Sequence, residues 1–369
     1  MSAITEKPTS PPLEPGADRP YQGGLLLRLI RWLVGLYHPR NLRERSLLWL
    51  ISLNLVTLLV LLMAYCVYIS QEPDLFNVRT AALNYAQGDS TRLQVPGFVT
   101  AATVATVAAI LLDKSGGYIR NDVVPPFVLL DNMPSWEFGV IRELRDISRS
   151  LRDHLARAQT QSREDPDLQL FDARIHFNDN NWILPATEDE YRTGINALER
   201  YLARLALGEA TFYVRADNLL VYLSTVEKRL GDYAQILSQG VAGQVFDDFP
   251  LAEGAAGPNA IAGTAAGSPT PWMQIDNVFY EARGYVWSLT HVLKAIEMDF
   301  HEMLATKNAL YPLQRIIHML ESSQNTVYSP MIMNNTGFGI LTNHSLVMAS
   351  YISRANAALI ELRILIDQG

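Results

Sequence analysis

One cysteine, Cys66, stands among 369 residues. A lone thiol excludes an intramolecular disulfide and any metal site built on several cysteines. Charge is scarce as well: 18% of residues are Asp, Glu, Lys or Arg, against 49% apolar. So apolar a chain can fill a real core, and wholesale disorder is excluded. No basic surplus exists, because 30 basic side chains face 38 acidic ones, for a net charge of -8. Nucleic acid is therefore not among the expected partners. Strand alternation is nearly missing. Also missing are GxGxxG, the phosphate-loop lysine motif, HExxH, GxSxG and CxxC. No catalytic, cofactor-binding or metal-binding residue is assigned, and no cofactor is expected.

What the chain does have is one long greasy run. Leu47 to Ser70 contains no charged residue. As a helix it measures roughly 36 Å, enough for about 30 Å of hydrocarbon. Asn54 lies inside it, where one amide is tolerable if it bonds to a neighbouring helix or to nearby backbone. Trp49, Tyr65 and Tyr68 lie toward its ends, as suits the headgroup layer. Residues 1–46 carry seven basic and four acidic groups, whereas 71–369 carry 23 and 34. The net charge thus splits into +3 before the run and -11 after it. By the positive-inside rule the N-terminus lies in the cytoplasm and the bulk of the chain across the membrane. The run is too deep and too long for a cleaved signal. Residues 1–24, rich in Pro and Gly, read as a disordered tail. Residues 25–46 read as a basic juxtamembrane segment, with Arg28 and Arg31 on a short interfacial helix or one covered by another subunit. Phe98 to Leu112 is also charge-free, but its 15 residues suit a buried or interfacial helix better than a span.

Beyond the run the apolar spacing is helical. Stripes appear at Ile141, Leu144, Ile147, Leu151 and Leu155, and again at Ile195, Leu198, Leu202 and Leu205. They predict helices from about 136 to 163, capped by Ser135, and from about 188 to 207, opened by a Thr187–Glu190 capping box. A heptad run through Leu219, Leu223, Val226, Leu230 and Leu237 predicts a helix over 211–237. Others are expected over 276–303, 311–321 and 343–366. Residues 246–271, rich in Ala, Gly and Pro, read as a flexible excursion. The fold class is all-α: one N-terminal transmembrane helix, then an antiparallel bundle of long helices with irregular capping loops. Residues 71–369 are expected to form one domain, the parts before and after the excursion packing together.

Three irregular stretches hold the candidate interaction residues. Residues 116–135 contain Phe127, Asp131 and Asn132; residues 165–185 contain Trp182; residues 328–342 place Phe338 between Gly337 and Gly339. The first two are longer than ordinary helix connections, which suits capping of the bundle, docking of a partner or the bilayer, or the walls of a cleft. His291, Glu297 and His301 share one helix but lack further ligands, and read as helix-edge charge. His176 with Asp172 and Asp179 reads as a polar loop cluster. Asn334–Thr336 and Asn343–Ser345 match the glycosylation triplet, a weak signal.

Four phrases, LDKSGGYIRNDVVPPFVLLDNMPSWEF from Leu112, FNDNNWILPATEDEY from Phe177, IDNVFYEAR from Ile275 and SPMIMNNTGFGILTNHSLVMASYISRA from Ser329, resemble the bacterial family called domain of unknown function 2333. The likeness covers essentially 47–369. It implies a protein of the Gram-negative inner membrane with one N-terminal anchor and a helical periplasmic portion, and carries no reaction or ligand. The leading expectation is an anchored structural or interaction protein, an accessory or scaffold subunit of an envelope complex. Its partners would be the lipid bilayer and either a membrane or envelope protein or a second copy of itself. The alternative is a periplasmic cell-wall or lipid-related enzyme or ligand-binding protein, using a pocket lined by residues such as Asp131, Asn132, Asp179 and Trp182.

Overall fold

The structure is a computed structural model that describes residues 35, 37–38, 46–158, 163–246, 274–327, 332 and 344–368, with backbone alone at 239–246. Among the described residues every regular element is helical. Two compact units divide the chain, Met1–Met63 and Ala64–Gly369. Helix α1, Leu47–Ile69, begins in the first and ends in the second. It is the one described helix long and apolar enough to cross a membrane, and most of its side chains are exposed. Within the first unit Thr57 meets the Tyr37 hydroxyl. The tail 1–24, Arg28, Arg31, Phe338, both glycosylation triplets apart from Ser345 and His344, and all but the first residue of 246–271 lie outside the described residues.

The second unit is built around α3, Phe98–Asp113. Short α2, Val78–Tyr85, leads into it. Almost the whole circumference of α3 is buried, so the segment carries no amphipathic stripe because it has no wet face. Its N-cap, Gly97, offers no side chain. Asp299 supplies the missing acceptor from another helix, taking bonds from Thr100 N at 2.7 Å and Thr100 Oγ1 at 2.6 Å.

Against α3 pack α4 (Asn132–Ser150), α6 (Thr187–Ala206) and α8 (Ile275–Asp299), with α5 (Pro166–Ile175) lying on α6 and α7 (Ala216–Phe246) beside α4. After α8 come short α9 (His301–Thr306), α10 (Leu310–Ser323) and α11 (His344–Gln368). Paired residues fix their directions. Arg142 meets Glu281 at 2.7 Å while Trp136 packs on Trp287, so α4 and α8 are antiparallel. Glu227 pairs with Arg363 and Gly231 lies beside Asn356, so α7 and α11 are antiparallel too. The same holds for α5 and α6, where Arg174 meets Glu190 and Arg204 meets Asp167. Every apolar stripe position named above is buried. The parts before and after 247–273 share one core, since α8 packs on α4 and α11 on α7.

At the α4–α8 crossing the two helices approach to backbone contact. A Cβ on Gly139 would overlap the Glu281 carbonyl and the Tyr285 nitrogen, and one on Gly284 would overlap the Trp136 carbonyl. The two backbones touch, and only hydrogen fits between them.

Three local expectations are corrected. The helix expected to run to 163 leaves α-geometry after Ser150, turns through a π-helical Leu151–Leu155 and stops. Asp165 and Pro166 then open α5 inside what read as a loop, with Asp165 accepting from Asp167 N and Leu168 N. A capping aspartate followed by proline is a helix start that the sequence displays. Ser135 does not cap α4, whose N-cap is Asp131; its hydroxyl donates to the Asp131 carbonyl. The Thr187–Glu190 box does not form. Ala186 is the N-cap of α6, the Thr187 hydroxyl donates to Asn178 O and Glu190 pairs with Arg174.

Gly284→Ala forces α8 off α4 and should cost about 3 kcal/mol or more in urea unfolding. Gly231→Ala, whose Cβ would meet only Asn356 Nδ2 at 3.6 Å, should be tolerated.

Candidate functional site

The two irregular loops come together. Gly116, at φ +87°, lies under Ile69, the last residue of α1, so closely that a Cβ there would stand 2.9 Å from the isoleucine Cβ. From that root the loop 116–131 reaches over to 176–186. Tyr118 OH donates to Asp179 O at 2.7 Å, and Asn121 Nδ2 donates to Asn181 O at 2.9 Å and to Glu188 Oε2 at 2.8 Å. Arg120 Nε meets the Asp179 carboxylate at 2.5 Å, with Arg145 on its other oxygen at 3.4 Å. Burial pushes Asp179 up, but Arg120 and Arg145 outweigh it and hold its carboxyl below the usual range. Lys114 and Glu137 form a buried ion pair at 2.6 Å beneath the same loop. Glu137 also accepts from Ile119 N at 3.0 Å and Arg120 N at 2.8 Å. The loop root is a clamp of matched charges.

Of the residues named from the sequence, the structure brings some together and scatters others. Phe127 sits edge-on to Tyr65 of α1, ring centroids 6.4 Å apart. Trp182 is exposed at the tip of the second loop. Asp131 and Asn132 stand at the start of α4, Asp131 exposed and Asn132 half-buried. None of these lines any of three cavities among the described residues, two of about 540 Å³ and one of about 240 Å³. Asn54 faces outward on α1 and spends its amide on Leu50 O, at 2.9 Å, within its own helix.

The fold divides the first histidine cluster, leaving Glu297 and His301 on the wall of one of the 540 Å³ cavities. His291 is not helix-edge charge. It is fully buried, donates to Trp287 O at 2.7 Å, accepts from Phe76 N at 3.0 Å and stacks on the Phe76 ring. Burial lowers it to about 3, which keeps it neutral. Glu297 takes a bond from Gln314, and His301 begins the next helix. His176 and Asp172 do meet, at 3.2 Å, but Asp172 is also committed to Ser148 and Arg152. Asp179 belongs to the loop clamp instead. Among the described residues no three His, Cys, Asp or Glu side chains gather as a metal site.

Strongly perturbed acids lie elsewhere, in places the stripes did not mark. Glu143 is wholly buried on α4, accepting from Tyr222. Burial, with Asp146 nearby, pushes it up to about 8. Burial raises Asp299 to about 6 against the pull of Thr100. Neither acid lines any of the three cavities, so no substrate atom reaches them there. Their signal in the sequence was an acid one turn from a stripe position, which is too common to single out.

Removing one partner of the buried clamp strands the other. Lys114→Met should cost about 3–5 kcal/mol in urea unfolding, and adding Glu137→Gln should recover part of it. For Glu143 the folded form holds its proton to about pH 8, while the unfolded form loses it near the ordinary glutamate value of 4.5. Its stabilisation is therefore full at acid pH and falls away as pH rises through 8. Wild type should lose stability relative to Glu143→Gln between about pH 5 and pH 8, read from urea midpoints across that range.

No curated protein and no solved structure matches the chain. A family model described as an uncharacterised protein conserved in bacteria, domain of unknown function 2333, matches residues 42–369. With all but the first residues and the start of the sequence's basic segment covered, the chain belongs to that bacterial family.

Proposed function

We propose that this is a single-pass protein of the bacterial inner membrane, N-terminus in the cytoplasm, whose domain from residue 71 onward lies in the periplasm. There it serves as a structural or interaction subunit of an envelope or membrane complex, or assembles with itself. The observation that carries this reading is the charge-free, exposed α1 running into a domain whose Lys114–Glu137 and Glu72–Arg283 pairs fasten its own segments together. The flanking charge supports the direction, seven basic and four acidic groups before α1 against the acidic bulk after it. The alternative, an enzyme or ligand-binding protein built on the irregular loops, is the less favoured reading. Asp179 is consumed by two arginines, and Asp131, Asn132 and Trp182 border none of the three cavities.

Extraction in mild detergent should bring down a stoichiometric protein partner or a self-assembled oligomer, fixed by crosslinking beforehand. Recovery as a lone monomer, crosslinked or not, sinks the interaction reading. A cysteine placed at exposed Tyr311 in a Cys66→Ser chain should react with a membrane-impermeant maleimide in intact spheroplasts. Reaction only after lysis would invert the topology.

A further inference from the structure

The outer unit carries a set of large apolar side chains that no helix covers. Leu184 is 88% exposed, Leu129 73%, Ile183 67% and Trp182 48%, with Val123 and Val128 beside them in the first loop. The two tips belong together, because Asn121 and Asn181 join their bases by a 2.9 Å hydrogen bond. They are held stiffly, since the loop root is the buried Lys114–Glu137 clamp and the Arg120–Asp179 pair. Apolar groups held out on such a base are presented to a partner.

Their place in the chain identifies that partner. Phe127, flanked by Val128 and Leu129, packs on Tyr65. Tyr65 is four residues inside the end of α1, about 6 Å back along a helix that is apolar throughout. Gly116 at the root of the same loop is pressed against Ile69, the final residue of that helix. The first tip thus lies level with the last turn of the apolar helix and adjoins its apolar surface. Interfacial groups bury to about 5–10 Å, the depth at which Tyr65 stands. Tryptophan, as at 182, favours the same layer.

We propose that the paired tips 123–129 and 182–184 insert into the outer-leaflet interface beside the span, so that the domain rests on the bilayer as well as hanging from it. This rests on the anchored reading given above. Asp122 and Asp131 bracket the first tip, so the attraction is apolar burial and not attraction to anionic lipid, and added salt should leave it unchanged.

The test uses the full chain with Cys66→Ser, reconstituted in vesicles of phosphatidylethanolamine and phosphatidylglycerol. Single cysteines at Leu129 and Leu184 carry an environment-sensitive nitrobenzoxadiazole label. Leu58→Cys in the span and Tyr311→Cys on exposed α10 serve as references. Lipid-borne nitroxide should quench the labels at 129 and 184 as it does the label at 58, by about twofold more than at 311, while aqueous iodide quenches 311 alone. If iodide reaches 129 and 184 as it reaches 311, while 58 stays lipid-quenched, the anchor stands and the insertion is overturned. Shielding of 129 and 184 from both quenchers means that protein covers the tips, which also overturns it. Failure of the lipid quencher at 58 overturns the anchored reading and this inference with it.

Discussion

Everything in the second unit depends on how closely α4 approaches α8. Gly139 and Gly284 let the two backbones touch. That contact brings Trp136 against Trp287 and sets Arg142 on Glu281. It also joins the two parts of the chain that the Ala/Gly/Pro-rich stretch separates. α4 carries α5 and α6 with it through Asp172 and Arg145, and α8 carries α10 through Lys294 and Glu321. Aliphatic burial drives the collapse, but two missing side chains decide which helices meet.

Charge is used inside this unit as local clamping. Asp299 closes the bare N-terminus of α3, where helix dipole and unpaired amides call for an anion. Arg283 holds Glu72 at 2.6 Å and also donates to the carbonyls of Ser323 and Asn325, so one guanidinium fastens the segment after α1 to the end of α10. A planar fork of five donors suits a site with that many acceptors better than lysine would. These arrangements immobilise polar groups in the core and leave few to work on a substrate. They set geometry more than they add stability, since burying an ion pair costs much of what the attraction returns.

The long amphipathic helices were legible because burial of one face is written as a three-four repeat. Leu219 to Leu237 and Met348 to Ile366 follow it without interruption. α3 was legible only as too short to span, since a helix buried all round has no period. The Gly139–Gly284 contact could not be read, because a glycine in a helix looks like a weak position until the opposing backbone is known. His291 misled for a related reason. It lies on a helix also bearing Glu297 and His301, and only the fold shows that its partner is the Phe76 amide, over two hundred residues earlier. The first loop was legible as long and apolar, whereas α5 fills half of the second, and their mutual binding through Asn121, Asp179 and Asn181 depends on side chains that any loop contains.

The passage from α1 into the second unit is the opposite of a flexible linker. Within a few residues Ile69 is buried against Gly116, Glu72 is locked to Arg283, and the Phe76 amide is bound to His291 while its ring stacks there. Each contact ties the end of the apolar helix to a different part of the core: the loop clamp, α8 with the end of α10, and the middle of α8. A domain meant to reach or swivel from its anchor would need a solvated tether at this point. Here the last turn of the apolar helix is itself part of the core. The residues from Ala64 to Phe76 thus share one packed unit with α8 and, across the glycine contact, with α4.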